Sequence, residues 1–205
     1  MVIIHSLNTT QRNGEPLSPN NGAPVRIIVP GVAGARSVKW LDTITIQTTE
    51  SSNFYQRHDY KALPPHVSNV DEAEEYWDKV PSLQDMPVNS VIAIPQANAS
   101  VSRDQDGMLE VSGYALPDGY DGPVVKVEVS GDEGKSWSEA ELMGERSKFS
   151  WVLWRARVRV ERGEGRRILS RATDAGGNMQ TAKANWNLRG VAYNGYGEAR
   201  DLNIL

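Results

Sequence analysis

The run Val124-Val125-Lys126-Val127-Glu128-Val129-Ser130, followed by Gly131-Asp132-Glu133-Gly134 and then Lys135-Ser136-Trp137, decides the fold class. Valines alternate with Lys126 and Glu128 at the two-residue period of a strand, in which successive side chains point to opposite faces. A turn bracketed by glycines then reverses the chain, so the segment reads as a hairpin. The same pattern recurs on both sides. Val91–Pro95, Met108–Leu116, Trp137–Leu142, Phe149–Val160, Arg167–Thr173 and Trp186–Val191 are short strand-like runs separated by turn signals. Short strands at this spacing predict a β-sandwich.

Upstream the character changes. Asn8 to Pro24 is polar and rich in Asn, Pro and Gly, and reads as loop. Val25-Arg26-Ile27-Ile28-Val29-Pro30 is an apolar run closed by a proline, as expected of a buried strand. A glycine-punctuated turn, Gly31 to Arg36, follows it. In Ser37 to Thr48, Ile44 and Ile46 alternate with Thr43, Thr45 and Gln47, which is strand periodicity. Residues 49–90 carry Pro64-Pro65, Pro81 and Pro87, and the acidic cluster Asp71 to Glu75 is long enough for one helical turn. The rest of that stretch reads as an extended connector, which places the domain boundary there.

Composition narrows the function classes. The 205 residues carry 22 Lys and Arg against 26 Asp and Glu, a net charge of −4, whereas nucleic-acid binders are usually basic. With no cysteine there is no disulfide, no thiolate metal site and no Cys nucleophile. Three histidines, His5, His58 and His66, are too few for a His-rich metal centre. No segment approaches the roughly 20 apolar residues of a membrane span. Met1-Val2-Ile3-Ile4 is too short for a signal-peptide core and lacks a basic flank. A soluble intracellular protein without a membrane or nucleic-acid partner is the expectation, and the Asn-x-Ser/Thr triplets at Asn8 and Asn98 read as chance.

Several groups bear on chemistry. Gly31-Val32-Ala33-Gly34 matches neither the dinucleotide fingerprint nor the P-loop, and a plain turn accounts for it. Arg26, Arg36 and Lys39 lie close to it, however, and cations beside glycines at a strand end suit an anionic group. Asp104-Gln105-Asp106-Gly107 opens like a calcium loop but has Ala115 where the twelfth-position Glu belongs, so it reads as a turn. Arg155, Arg157 and Arg159 share one strand face, as a solvated surface or a subunit contact. Arg189, in Trp186-Asn187-Leu188-Arg189-Gly190, has no acidic residue nearby in sequence. It is either a surface arginine or an oxyanion ligand, since guanidinium is always charged and forks onto oxyanions.

Taken in order, these segments resemble the C-terminal part of eukaryotic sulfite oxidase, a molybdenum enzyme family. The resemblance rests on Asn13-Gly14-Glu15-Pro16-Leu17, Gly22 to Arg26 through Val29-Pro30-Gly31, Gly34 to Leu41, Asp59-Tyr60-Lys61, Gly113-Tyr114-Ala115, Val127 to Ser130 and Trp186 to Gly190. It implies that residues 1–60 are the end of an α+β molybdenum-cofactor domain, 61–90 a connector, and 91–205 an immunoglobulin-like dimerisation domain, mainly β overall. It implies Mo-molybdopterin as cofactor, with Asn21, Arg26, Ser37, Val38 and Lys39 contacting the pterin and its phosphate. Arg189 is the implied ligand of sulfite or sulfate, and a homodimer the implied assembly.

Two departures bear on activity. The family commonly has His where this chain has Asn21, which can donate a hydrogen bond but not carry charge. The cysteine that ligates molybdenum in the family lies upstream of the matched region, and this chain has none. No catalytic or metal-ligating residue is therefore assigned, and a chain inactive by itself, as a truncated product would be, is expected. The alternatives are a non-catalytic dimerisation module and a nitrate-reductase relative. Arg189 counts against the latter, because a fixed extra cation suits a doubly charged anion better than nitrate. The resemblance leaves the compartment open among mitochondrion, peroxisome and cytosol.

Overall fold

The computed structural model describes residues 7–205; His5 and the Met1–Ile4 run lie outside the described residues. The chain forms two compact units. One comprises residues up to Met86 together with Trp186–Ala192, and the other Pro87–Asn185 with Tyr193–Leu205.

The first unit is built from short elements. Strand β1 (Leu7–Thr9) pairs antiparallel with β4 (Arg26–Ile28), Thr9 opposite Arg26. Between them, β2 (Gln11–Arg12) and β3 (Glu15–Pro16) form a small hairpin. Its turn is Asn13-Gly14, with φ of 52° and 83°. Both central residues of this tight hairpin turn need positive φ, which Asn and Gly tolerate. The segment read from sequence as loop therefore holds three strands, too short for periodicity to register.

Single 3₁₀ turns occupy Pro19–Asn21 and Gly34–Arg36, and a π-helical turn spans Tyr55–Asp59. The acidic cluster opens in one helical turn, α1 (Val70–Ala73). Asn69 caps it, its Oδ1 accepting from the Glu72 backbone N–H at 3.0 Å, while the Glu72 carboxylate accepts from Ser68 N at 2.7 Å. This is reciprocal N-terminal capping. Leu63, Val67, Ala73 and Trp77 form a buried apolar cluster, and Leu188 packs against it. Lys61 is also buried, its ammonium donating to the carbonyl of Trp77.

Two sequence expectations fail in this unit. Ile44 and Ile46 sit in irregular backbone and are 61% and 95% exposed, so no strand forms there. The indoles of Trp40 and Trp186 are 62% and 54% exposed. Trp40 has a φ of 51°, and its indole N–H donates to Pro19 O at 2.9 Å. Trp186–Val191 is likewise not a strand but a turn. Asn187 closes it, donating from Nδ2 to Val191 O at 2.9 Å, with Gly190 at φ 63°.

The second unit is the mainly β, immunoglobulin-like sandwich. Its strands are β5 (Asn89–Ile94), β6 (Ser100–Val101), β7 (Met108–Leu116), β8 (Val124–Ser130), β9 (Ser138–Glu139), β10 (Glu141–Met143), β11 (Val152–Arg159), β12 (Gly163–Asp174) and β13 (Gly197–Ile204). One sheet runs β10-β11-β7-β5, wholly antiparallel. The other runs β6-β13-β12-β8-β9, with only β6 parallel to its neighbour.

The inner faces supply one apolar core. From β7 come Leu109, Val111 and Ala115; from β8, Val124, Val127 and Val129; from β11, Val152, Trp154, Ala156 and Val158. Burial of this apolar surface is the main stabilising term, roughly 25 cal/mol per Å². Strand β11 alternates strictly, so Arg155, Arg157 and Arg159 all face outward. Two of them are ion-paired, Arg155 to Glu141 and Arg157 to Asp104. Asp104 also accepts from the Met108 and Asp106 backbone N–H groups at 2.8 and 3.0 Å, which makes its segment a hydrogen-bonded turn.

Candidate anion site

The cofactor residues expected from sequence come together in the first unit around β4. Arg26 Nη1 donates to Asn21 O and Nη2 to Ser37 O, each at 3.2 Å. Ser37 Oγ accepts from Val29 N at 3.1 Å, and Val38 O accepts from Ile27 N at 2.9 Å. Lys39 Nζ donates to Asn20 O at 2.7 Å. A Cβ on Gly22 would lie 2.9 Å from the Lys39 Cβ, so the absence of a side chain at Gly22 is what lets the lysine stem pass. The residues from Asn21 to Lys39 are thus one hydrogen-bonded patch.

Its electrostatics are one-sided. Among the described residues no carboxylate lies within ion-pair distance of Arg26 or Lys39; both are held by carbonyl oxygens. Arg26 Nε is buried and makes no hydrogen bond. A buried donor left unmade costs about 1–3 kcal/mol, so an acceptor there is worth that much. Arg26 lines a cleft of about 440 Å³ together with Asn21, Arg12, Thr9, Gln11 and Ile28. Asn21 contributes through its backbone carbonyl, while its side-chain amide donates to Ser18 Oγ at 2.9 Å.

Arg36, the third cation of the sequence cluster, is committed elsewhere. Its guanidinium donates to Gln56 and to Leu83 O and stacks over the Tyr60 ring at 5.3 Å. Burial pulls it below its ordinary value, partly offset by Tyr60 and Glu50. Glu50 accepts from Ser82 Oγ at 2.6 Å and Gln56 Nε2 at 2.7 Å, and these bonds hold its carboxyl below the usual range.

Arg189 is not bonded to the Arg26 patch. Its Nη2 donates to Asp59, 130 positions earlier in the chain. Sequence reasoning missed this carboxylate as a site residue. The only signal was that Asp59 heads the Asp59-Tyr60-Lys61 string, which carries no spatial information.

The residues fit a group that is anionic and accepts hydrogen bonds. Residues 80–199, more than half of the chain, match the Mo-co oxidoreductase dimerisation domain, and residues 6–55 match the oxidoreductase molybdopterin binding domain. The chain belongs to the Mo-co oxidoreductase dimerisation family, as the C-terminal part of a sulfite-oxidase-type architecture.

Among its relatives, mitochondrial sulfite oxidase of Mus musculus is 39% identical over 193 residues, covering 91% of this chain and 34% of that protein. Mitochondrial sulfite oxidase of Drosophila melanogaster is 40% identical over 197 residues, with the same coverages of 91% and 34%. The chain thus spans about a third of the length of these relatives. The sulfane dehydrogenase SoxCD of Paracoccus pantotrophus shares the fold, with a TM-score of 0.74 at 24% identity, covering 96% of this chain and 50% of that one. No helix among the described residues is long and apolar enough to cross a membrane.

A molybdopterin phosphate suits the Arg26 patch on this structure's own terms. Charged donors converge there without a carboxylate, and one buried donor lacks a partner.

Proposed function

We propose that this chain is part of a sulfite-oxidase-type molybdoenzyme that converts sulfite to sulfate, and that it supplies a portion of the cofactor clamp, one substrate arginine and the homodimer contact. When bound, Mo-molybdopterin supplies oxygen-atom transfer coupled to two-electron redox chemistry. The carboxylate-free cation patch at Arg26 and Lys39 carries the reading. Arg26 would hold the phosphate through its guanidinium charge, its two Nη groups being anchored on the Asn21 and Ser37 carbonyls and its Nε lacking a partner. A guanidinium braced in this way keeps its charge fixed at the patch, which is the source of electrostatic preorganisation. Ser37 and Val38 hold the strand edge through Val29 N and Ile27 N, and Lys39 adds a point charge.

Arg189 orients the sulfite or sulfate oxyanion. The chain has no cysteine, so the thiolate ligand of molybdenum comes from outside these 205 residues, and the chain by itself is inactive. The sandwich contributes dimerisation, a reading supported by the family description and by apolar side chains on the outer face of the β10-β11-β7-β5 sheet. Leu153 on that face is 48% exposed, and the neighbouring Trp151 58%.

The test is titration of the full chain with a phosphate monoester, followed by NMR of arginine Nε–H signals. Arg26→Gln and Lys39→Gln are each expected to weaken binding by about tenfold, the worth of one charge-assisted contact of roughly 1.4 kcal/mol. Arg189→Gln is expected to leave it unchanged. Equal binding by all three variants would remove the clamp from the proposal.

A further inference from the structure

The ion pair between Arg189 and Asp59 places a fixed negative charge beside the arginine. Both partners stand on fixed backbone. Asp59 closes the π-helical turn, and the next residue is held three ways. Tyr60 N donates to Tyr55 O at 3.2 Å, Tyr60 O accepts from Leu83 N at 2.6 Å, and the Tyr60 ring lies under Arg36. Lys61 beyond it is buried.

On the other side, Asn187 brackets Arg189 from both directions. Its Oδ1 accepts from Val191 N at 3.2 Å, its backbone O accepts from Gly190 N at 3.0 Å, and Leu188 is packed into the apolar cluster. The pair is partly solvated, with side-chain exposures of 40% for Arg189 and 23% for Asp59. Only Nη2 is engaged; Nε and Nη1 of Arg189 make no hydrogen bond to the described residues.

We infer that Asp59 is a positioning residue that aims the Arg189 guanidinium through one N–H and sets how strongly the site holds anions of different charge. This rests on the reading of Arg189 as the oxyanion donor. The single contact leaves Nε and Nη1 for an incoming oxyanion, so Asp59 does not have to leave when the anion arrives. Its negative charge then acts on whatever Arg189 holds. Coulomb repulsion is proportional to the charge of the anion, so a dianion feels it about twice as strongly as a monoanion at the same place. Asp59 therefore weakens retention of doubly charged sulfate more than that of a singly charged oxyanion. The effect on a site that makes sulfate is to keep its product from being trapped.

The distinguishing experiment uses the full chain and two probes, sulfate and nitrate, with the Arg189 Nε–H signal followed by NMR. Asp59→Asn keeps a hydrogen-bond acceptor for Arg189 and removes the charge. If nitrate affinity rises about threefold, sulfate affinity is expected to rise about tenfold, the square of the first factor. Asp59→Ser is expected to repeat the ratio with a smaller side chain, and Asp59→Glu to restore the wild-type one. The amide spectrum reports in each case whether the first unit is folded.

Equal factors for the two anions, or weaker sulfate binding in the charge-free variants, would overturn the inference. So would loss of the folded spectrum in both of them, since Asp59 would then be a structural residue. Arg189→Gln separates this outcome from the parent reading. If sulfate still perturbs the Gly190 and Val191 amides as in wild type, Arg189 is not the oxyanion donor, and the failure lies there.

Discussion

Asp132 illustrates what one carboxylate does in a tight turn. It accepts from Ser136 Oγ at 2.6 Å, Ser136 N at 2.9 Å and Ser130 Oγ at 2.7 Å, while Ser130 Oγ accepts from Gly134 N at 2.8 Å. The Ser136 bonds, aided by Ser130, pull its pKa down to about 2. A carboxyl with a depressed folded value stabilises the fold above the unfolded pKa of about 3.9 and loses that contribution as the pH falls toward the folded value. Asp132→Asn is therefore expected to cost about 1 kcal/mol at neutral pH, after allowance for solvent screening. The difference from wild type should shrink steadily as the pH falls from about 4 through 2. Urea melts at pH 7 and pH 2.5 check both parts.

Legibility varies sharply between residues. Arg26, Ser37 and Lys39 were visible because the chain holds them within 14 positions and their chemistry agrees. Asp59 was not, because no local pattern links it to Arg189. A large aromatic is usually mostly buried, yet Trp40, at φ 51°, and Trp186 are each more than half exposed.

Among elements, β7 and β11 are legible because strict alternation survives along their length, and β8 because it alternates from Lys126 to Val129. Trp137–Leu142 reads as one strand in the sequence but divides at Ala140 into β9 and β10, which belong to different sheets. Alternation continues across such a switch, so periodicity cannot locate it. Strand β13 was missed because its pattern slips. Asp201, at φ 55°, breaks the register with β12, leaving the buried Ala199 and Leu202 three apart instead of two. A bulge of this kind erases the period-two signal.

The close approach of β5 and β7 depends on Gly113, where a Cβ would lie 1.9 Å from Val91 O and 2.6 Å from the Trp154 ring. Gly113→Ala is expected to destabilise by more than about 2 kcal/mol, because both neighbours are core or ladder atoms. Trp154 is wholly buried with an unpartnered indole N–H. Trp154→Phe should thus cost far less than Trp154→Ala, for which cavity formation gives about 3–5 kcal/mol. Thermal melts of the three variants rank them.

At the scale of the molecule, the sandwich has an outer face that water alone does not explain. Trp151 and Leu153 stand beside Tyr114, whose ring meets Trp151 edge-on at 5.4 Å, and Ile94 is 62% exposed on the same sheet. Patches of this character on a domain of this family fit contact with a second copy. Leu153→Asp is expected to shift the sedimentation profile from dimer to monomer while leaving the melting temperature of the sandwich near wild type, since Leu153 is outside the core.

The most direct test of the central claim is made on the native protein. Isolated from its source cells with an antibody to residues 91–205, it should be a polypeptide well above 22.6 kDa that carries molybdenum in stoichiometric amount by elemental analysis. A 22.6 kDa polypeptide without molybdenum would contradict the molybdoenzyme account and leave a cysteine-free dimerisation module in its place.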